Sequence, residues 1–272
     1  AKSILYMNDP DSIQQNLELA KIQSKLLLQG ENPRLIDEWQ LAPNLWDSIR
    51  FEVDHRKKEG QFILTGSAIP NDSDKKRHTG TGRFSWIMMR PMSLWESEDS
   101  NGQVSLTELF EGKTDISGIN NKKLEDIAFF VCRGGWPASI DKKERASLHL
   151  AFDYYDAVVK EDISRVDNVE RDRNTTTLRL LLRSYARNQG TQASIASITQ
   201  DISANDDSNL SENTTLSYIK ALKKIFVIED MSAWNPNLRS KSAIRTSDTR
   251  YFVDPSKTED RKSGSAGMPR PI

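Results

Sequence analysis

The chain has 272 residues, 38 basic and 39 acidic, with a hydrophobic fraction of 36%. That length accommodates one large domain or two modest ones, and the balanced charge points to neither nucleic acid nor an acidic substrate, so any basic face must be local. The one cysteine, Cys132, excludes an internal disulfide and fits a reducing, cytoplasmic setting, while no apolar run approaches the ~20 residues that span a bilayer and no signal peptide opens the chain.

Residues 2–8, KSILYMN, read as a short strand, and Asp9-Pro10 as a helix N-cap with proline at the first helical position. The helix runs from there through residue 28 to Gly30. Residues 33–39, PRLIDEW, form a second strand, and residues 42–58 an amphipathic helix with Leu45, Trp46, Ile49 and Val53 at helical spacing. Residues 60–68, GQFILTGSA, are a third strand. Strand, helix, strand, helix, strand in this order predicts a parallel α/β sheet. A polar loop follows over 69–83, then a further expected strand, RFSWIMMRPMS, ended by Pro91.

From about residue 98 the pattern turns helical. Ser105 and Glu108 form a capping box, Leu124, Ile127, Ala128 and Val131 share one helix face, and RGGWP stops that helix. A long helix covers about 142 to 163. Residues 178–253 read as a separate unit with three helices and two β-like runs, 226–234 and 249–254, the order of a winged helix-turn-helix. The last stretch, 257–272, has no hydrophobic period and is expected to be disordered. His55, His78 and His149 show no metal-ligand spacing and read as surface or helix-end residues.

The second strand ends in two adjacent acids, Asp37 and Glu38. At a strand end the chain leaves the pleat, so both can reach one site: Asp37 to orient a magnesium shell, Glu38 to polarise an attacking water. The plainer alternative is an Asp-Glu pair that opens a loop and is solvated there. The third strand ends in Thr65 and Ser67, where a polar tip can sense a terminal phosphate or simply make a turn. Arg83, after two glycines in HTGTGR, can answer the charge of a transferring phosphoryl group or stand solvated.

Taken together, RLIDEWQLAPNLWDSIRFEVDHR, GQFILTGSA, HTGTGRF, MRPMSLWE, RGGWPA and EDISRVD resemble prokaryotic AAA-type P-loop ATPases, in particular the group whose C-terminal half is the domain of unknown function 4143. The resemblance spans about residues 1 to 256. It implies an ATP- and Mg2+-dependent site with Asp37 and Glu38 in the Walker B segment, Ser67 or else Thr65 as the sensor, and Arg83 as a phosphate-sensing arginine. It also implies a GxxxxGKS/T loop, whose backbone N–H groups and lysine provide most of the phosphate binding. Nothing in the 272 residues fits that loop. The expectation is therefore a truncated chain that binds ATP poorly, whose first strand, loop and helix lie before Ala1 and whose sheet lacks an interior member. The resemblance also stops after RYFVDPS, where a nuclease-like domain is expected. The domains read as a partial ATPase core over 1–97, a helical lid or linker over 98–170, a winged helix over 171–256 and a tail over 257–272.

If the winged helix reads DNA, residues 211–225 form its recognition helix. Leu216, Ile219, Leu222 and Ile225 then face the core, while Thr214, Thr215, Tyr218, Lys220 and Lys224 are candidates for contact, with Arg239, Lys241 and Arg245 in the wing. The basic surplus across this region is small. The alternative is a non-catalytic DNA-binding or protein-interaction module on an ATPase scaffold, the winged helix packing on the ATPase, on a partner protein or on another copy of the chain. Trp136, Tyr154 and Tyr155 read as packing residues.

Overall fold

The computed structural model describes residues 1–68, 81–162, 175–204, 210–232 and 247–258. The chain divides into two compact units, Ala1–Met88 and Met89–Ile272.

In the first unit three short strands, β1 (Ser3–Tyr6), β2 (Arg34–Asp37) and β3 (Phe62–Thr65), alternate with α1 (Ile13–Ile22) and α2 (Leu45–Arg56). All pairings are parallel and the order is β1-β2-β3, with Leu5, Ile36 and Leu64 in register across the sheet. These three belong to the face that packs with Met7, Ala20, Leu28, Leu45 and Ile49. Ile36 is fully buried, a placement that stabilises by about 1.5–3 kcal/mol. The next row, Ile4, Leu35 and Ile63, lies on the opposite face, where Ile4 is 48% and Ile63 44% exposed. Helices α1 and α2 thus pack on one face of the sheet, while the apolar row on the other is partly exposed among the described residues.

Several details differ from the sequence reading. Asp9 does not cap the helix but builds the turn before it, accepting from the Asp11 amide at 3.1 Å and from Ser12 Oγ at 3.0 Å. Helix α1 stops at Ile22 and a 3-10 turn over Ser24–Leu26 follows, which carries Leu27 and Leu28 into the core. The described sheet has no gap between its members, β2 being bonded on both sides. The run expected as a strand at 83–93 joins no ladder. Its aromatics pack against α2 instead, Phe84 stacking on Trp46 at 3.7 Å and Trp86 at 5.5 Å. β-rich composition makes a strand only where a neighbouring backbone offers hydrogen bonds.

The second unit is helical: α3 (Leu106–Phe110), α4 (Leu124–Arg133), α5 (Pro137–Ile140), α6 (Glu144–Ala157) with a π turn over Val158–Asp162, α7 (Thr175–Arg187), α8 (Ile195–Ser203) and α9 (Glu212–Lys224). Ser105 caps α3 by accepting from the Glu108 amide, whereas the Glu108 side chain pairs with Lys113 at 2.8 Å. The apolar stripe of α4 faces outward: Leu124 is 81% exposed, and the residues this helix buries are Cys132 and Arg133. Arg133 lies against the Phe129 and Phe130 rings and pairs with Asp99 at 2.9 Å. The core gathers Leu178, Leu181, Leu182 and Tyr185 of α7, Ile198 and Ile202 of α8, and Tyr218, Ile219 and Leu222 of α9, closed by Val227, Ile228 and Phe252.

Two polar joints hold this unit. The Asp254 carboxylate accepts from the Gly135 amide at 2.8 Å and the Ser256 amide at 3.0 Å, and Trp136 Nε1 donates to Ser256 Oγ at 3.2 Å. Gly135 also takes the Met92 amide on its carbonyl at 2.7 Å, and a Cβ there would collide with the Met92 backbone. RGGWP and VDPS are thus two sides of one joint. The second joint is Asp230, whose side chain is fully buried and accepts from Tyr185 Oη at 2.7 Å, Arg250 Nη1 at 2.6 Å and Lys223 Nζ at 2.9 Å. Burial works against its charge, but the hydrogen bonds from Lys223 and Tyr185 and the cations of Lys223 and Arg250 outweigh it, holding the carboxyl below its ordinary range. The same burial pushes the Tyr185 hydroxyl up. Trp136 packs on Tyr154 with ring centroids 4.3 Å apart.

Candidate functional site

The C-terminal tips of β2 and β3 bring four of the expected residues together. Register places Asp37 opposite Thr65, and Thr65 Oγ1 donates to Asp37 Oδ1 at 2.6 Å. One step further on, Ser67 Oγ donates to Glu38 Oε2 at 3.2 Å. Two acids at the end of one strand are thereby matched by two hydroxyls at the end of the next. The Asp37 carbonyl accepts from the Met7 amide at 3.1 Å, and Asn16 Nδ2 reaches the Tyr6 carbonyl at 3.3 Å, so the tip of β1 is fixed beside them.

Both acids reach this edge because the pleat ends between them. Glu38 takes the left-handed conformation at φ 54° and ψ 39°, which costs a non-glycine residue roughly 1–3 kcal/mol. This kink and the 3-10 turn over Trp39–Leu41 carry Trp39 into the core and return Gln40 toward Glu38. Gln40 Nε2 donates to Glu38 Oε2 and, at 3.2 Å, to Ser67 Oγ. Its Oε1 is buried and has no hydrogen-bond partner among the described residues. Gly66 makes room for it: a Cβ at that position would meet Gln40 Oε1. Gln40 is the residue that sequence reasoning missed. Its spacing of two from Glu38 would share a face in a continuing strand, but β2 ends at Asp37, so only the kink at Glu38 reveals the contact.

Arg83 does not join this group. Its Nε pairs with Asp54 Oδ1 on α2 at 2.8 Å, and that hydrogen bond lowers the Asp54 pKa and raises that of Arg83. In the second unit α9 buries Ile219 and Leu222 as expected, with Ile225 packed against the same core, but it also buries two of the candidate contact residues. Thr215 is fully buried, bonded by Thr199 Oγ1 at 2.9 Å, and Tyr218 is 6% exposed within the core. The hydrogen bond from Thr199 satisfies the Thr215 hydroxyl and so permits its burial, while Leu216 is only partly buried. Thr214 is exposed and caps the helix with Ser211, Lys220 is exposed, and Lys224 is partly buried in the last turn. Arg239, Lys241 and Arg245 lie outside the described residues, as does most of EDISRVD.

The strand-tip residues offer hard oxygen donors, two carboxylates and two hydroxyls. That chemistry suits Mg2+ bound through one or two carboxylates together with phosphate oxygens. No cluster of three or more His, Cys, Asp or Glu among the described residues provides an all-protein metal cage. Residues 1–98 match the AAA domain family.

The match covers the three strands, both helices and every residue of the strand-tip group, and it supports an AAA-type, P-loop ATPase-like domain for this part of the chain. AAA domains generally use ATP and Mg2+. Residues 124–257 match a domain of unknown function, DUF8612, where the sequence resemblance pointed to the domain of unknown function 4143. No curated protein matches the chain. Among the described residues no helix is long and apolar enough to cross a membrane.

Proposed function

We propose that the strand-tip group is the acid and sensor side of an ATP-hydrolysing site, with LIDE as its Walker B segment. Asp37, oriented by Thr65, would hold the magnesium that accompanies the triphosphate. Glu38 would take the proton of the attacking water as general base. Ser67, at the tip of the neighbouring strand and bonded to Glu38, would sense the terminal phosphate. Bound Mg2+ would supply neutralisation of charge on the phosphate oxygens. The observation that carries this reading is the double match of Asp37 with Thr65 and Glu38 with Ser67 at the ends of adjacent parallel strands.

The 272 residues contain no GxxxxGKS/T loop, so this chain lacks the backbone cradle that gives phosphate most of its affinity. The reading extends to kinship with the ATPases that carry the domain of unknown function 4143 and to a winged-helix arrangement of α7, α8 and α9. The latter is supported by two antiparallel bridges after α9, Ile228 with Phe252 and Met231 with Thr249.

Titration of the full chain with a fluorescent ATP analogue tests the proposal. Weak, saturable binding that requires magnesium and is lost in Asp37→Asn supports it. Absence of saturation, or saturation indifferent to Asp37→Asn, rejects it for this chain.

A further inference from the structure

We propose that Gln40 is a positioning residue for Glu38, holding its carboxylate on Ser67. The proposal rests on the reading of the strand tips as a nucleotide site, and it assigns that site a restraint that none of the expected residues provides.

Three observations converge. Gln40 Nε2 donates to both Glu38 Oε2 and Ser67 Oγ, so one amide group joins the acid of β2 to the hydroxyl of β3. Both donors to Glu38 arrive on the same oxygen, which fixes the carboxylate by one end. The other end of the Gln40 amide is buried against Gly66 with its oxygen unmatched. A buried acceptor left unsatisfied calls for an explanation. Here it is the consequence of turning the donor end toward Glu38, since the flipped amide would point its oxygen at a carboxylate. The backbone agrees, because the left-handed turn at Glu38 and the 3-10 turn after it are what bring position 40 back to position 38.

A carboxylate held by one oxygen against a neighbouring strand has a defined place but not a permanent one. Gln40 sits at the end of three rotatable bonds, so releasing Glu38 requires a side-chain rotation and no movement of the sheet.

The test uses the 15N-labelled full chain. In the absence of nucleotide, the Gln40 side-chain amide pair should stand away from the positions of a free glutamine. It should return toward them in Glu38→Ala and in Ser67→Ala. Gln40→Met keeps the volume and removes the donor, so it should shift the backbone amides of Glu38 and Ser67 while leaving those of α1 and α2 in place. A purely space-filling Gln40 would leave Glu38 and Ser67 unmoved in that variant. A free-glutamine signal in the wild type, or identical Glu38 and Ser67 signals in Gln40→Met, overturns the proposal. Addition of Mg·ATP to the same samples separates the two claims. Unmoved Asp37 and Thr65 signals reject the nucleotide reading, and the nucleotide-free spectra still decide the role of Gln40.

Discussion

The molecule contains two polar clusters built on opposite plans. At Asp230 a fully buried carboxylate meets two cations and a phenol, every contact made by groups that the fold also buries or anchors. At Asp37 and Glu38 two acids meet hydroxyls and an amide, with a strained backbone between the acids and a buried amide oxygen left unmatched. The first arrangement holds its charge by compensation and has nothing left to bind. The second pairs with no cation among the described residues and lies at a partly exposed edge, a setting that suits a bound cation. The completeness with which each is satisfied supports reading the first as a stabilising joint and the second as the proposed site.

Breaking the compensated cluster should have the largest effect. Asp230→Ala leaves Arg250 buried without its partner and should cost about 3–5 kcal/mol, read as a lower midpoint in urea unfolding. The neighbouring joint follows. Gly135→Ala drives a methyl into the Met92 backbone, which cannot rotate aside, and should cost roughly 1–3 kcal/mol. Acid sharpens the same contrast. The Asp230 carboxyl is depressed in the folded state, so its contribution is present above the unfolded value near about 3.9 and is lost as pH falls through the lower folded value. Unfolding midpoints should decline with pH in that window. Asp230→Asn should flatten the decline. The smallest stability effect belongs to the strand tips, where Asp37→Asn and Glu38→Gln should change the unfolding free energy by no more than about 0.5 kcal/mol, since neither acid pairs with a cation among the described residues. A loss at Asp37 as large as that at Asp230 would erase the distinction.

Much of the first unit is legible in the sequence. Each strand lies inside its expected segment because short aliphatic runs flanked by turn residues leave few alternatives. The four strand-tip residues are legible because parallel strands at one βαβ spacing must end on the same edge. What escapes is whatever depends on contacts between elements. The run at 83–93 reads as a strand, yet its aromatics find Trp46 and no ladder. Arg83 is placed by Asp54, a partner that spacing does not reveal. Thr215 joins the core side of α9 through a hydrogen bond from Thr199, invisible to any hydrophobic period. The stripe on α4 obeys the period and still faces outward, because periodicity shows that residues share a face and says nothing of what covers it. Gln40 is hidden by a backbone kink of a kind that a non-glycine residue rarely adopts.

The most direct measurement is residue-resolved: amide chemical-shift mapping of the full chain against Mg·ATP in the millimolar range. The account predicts magnesium-dependent shifts confined to Asp37–Gln40 and Thr65–Ser67 and absent in Asp37→Asn. Shifts that appear only elsewhere, or none at these two segments, would contradict it.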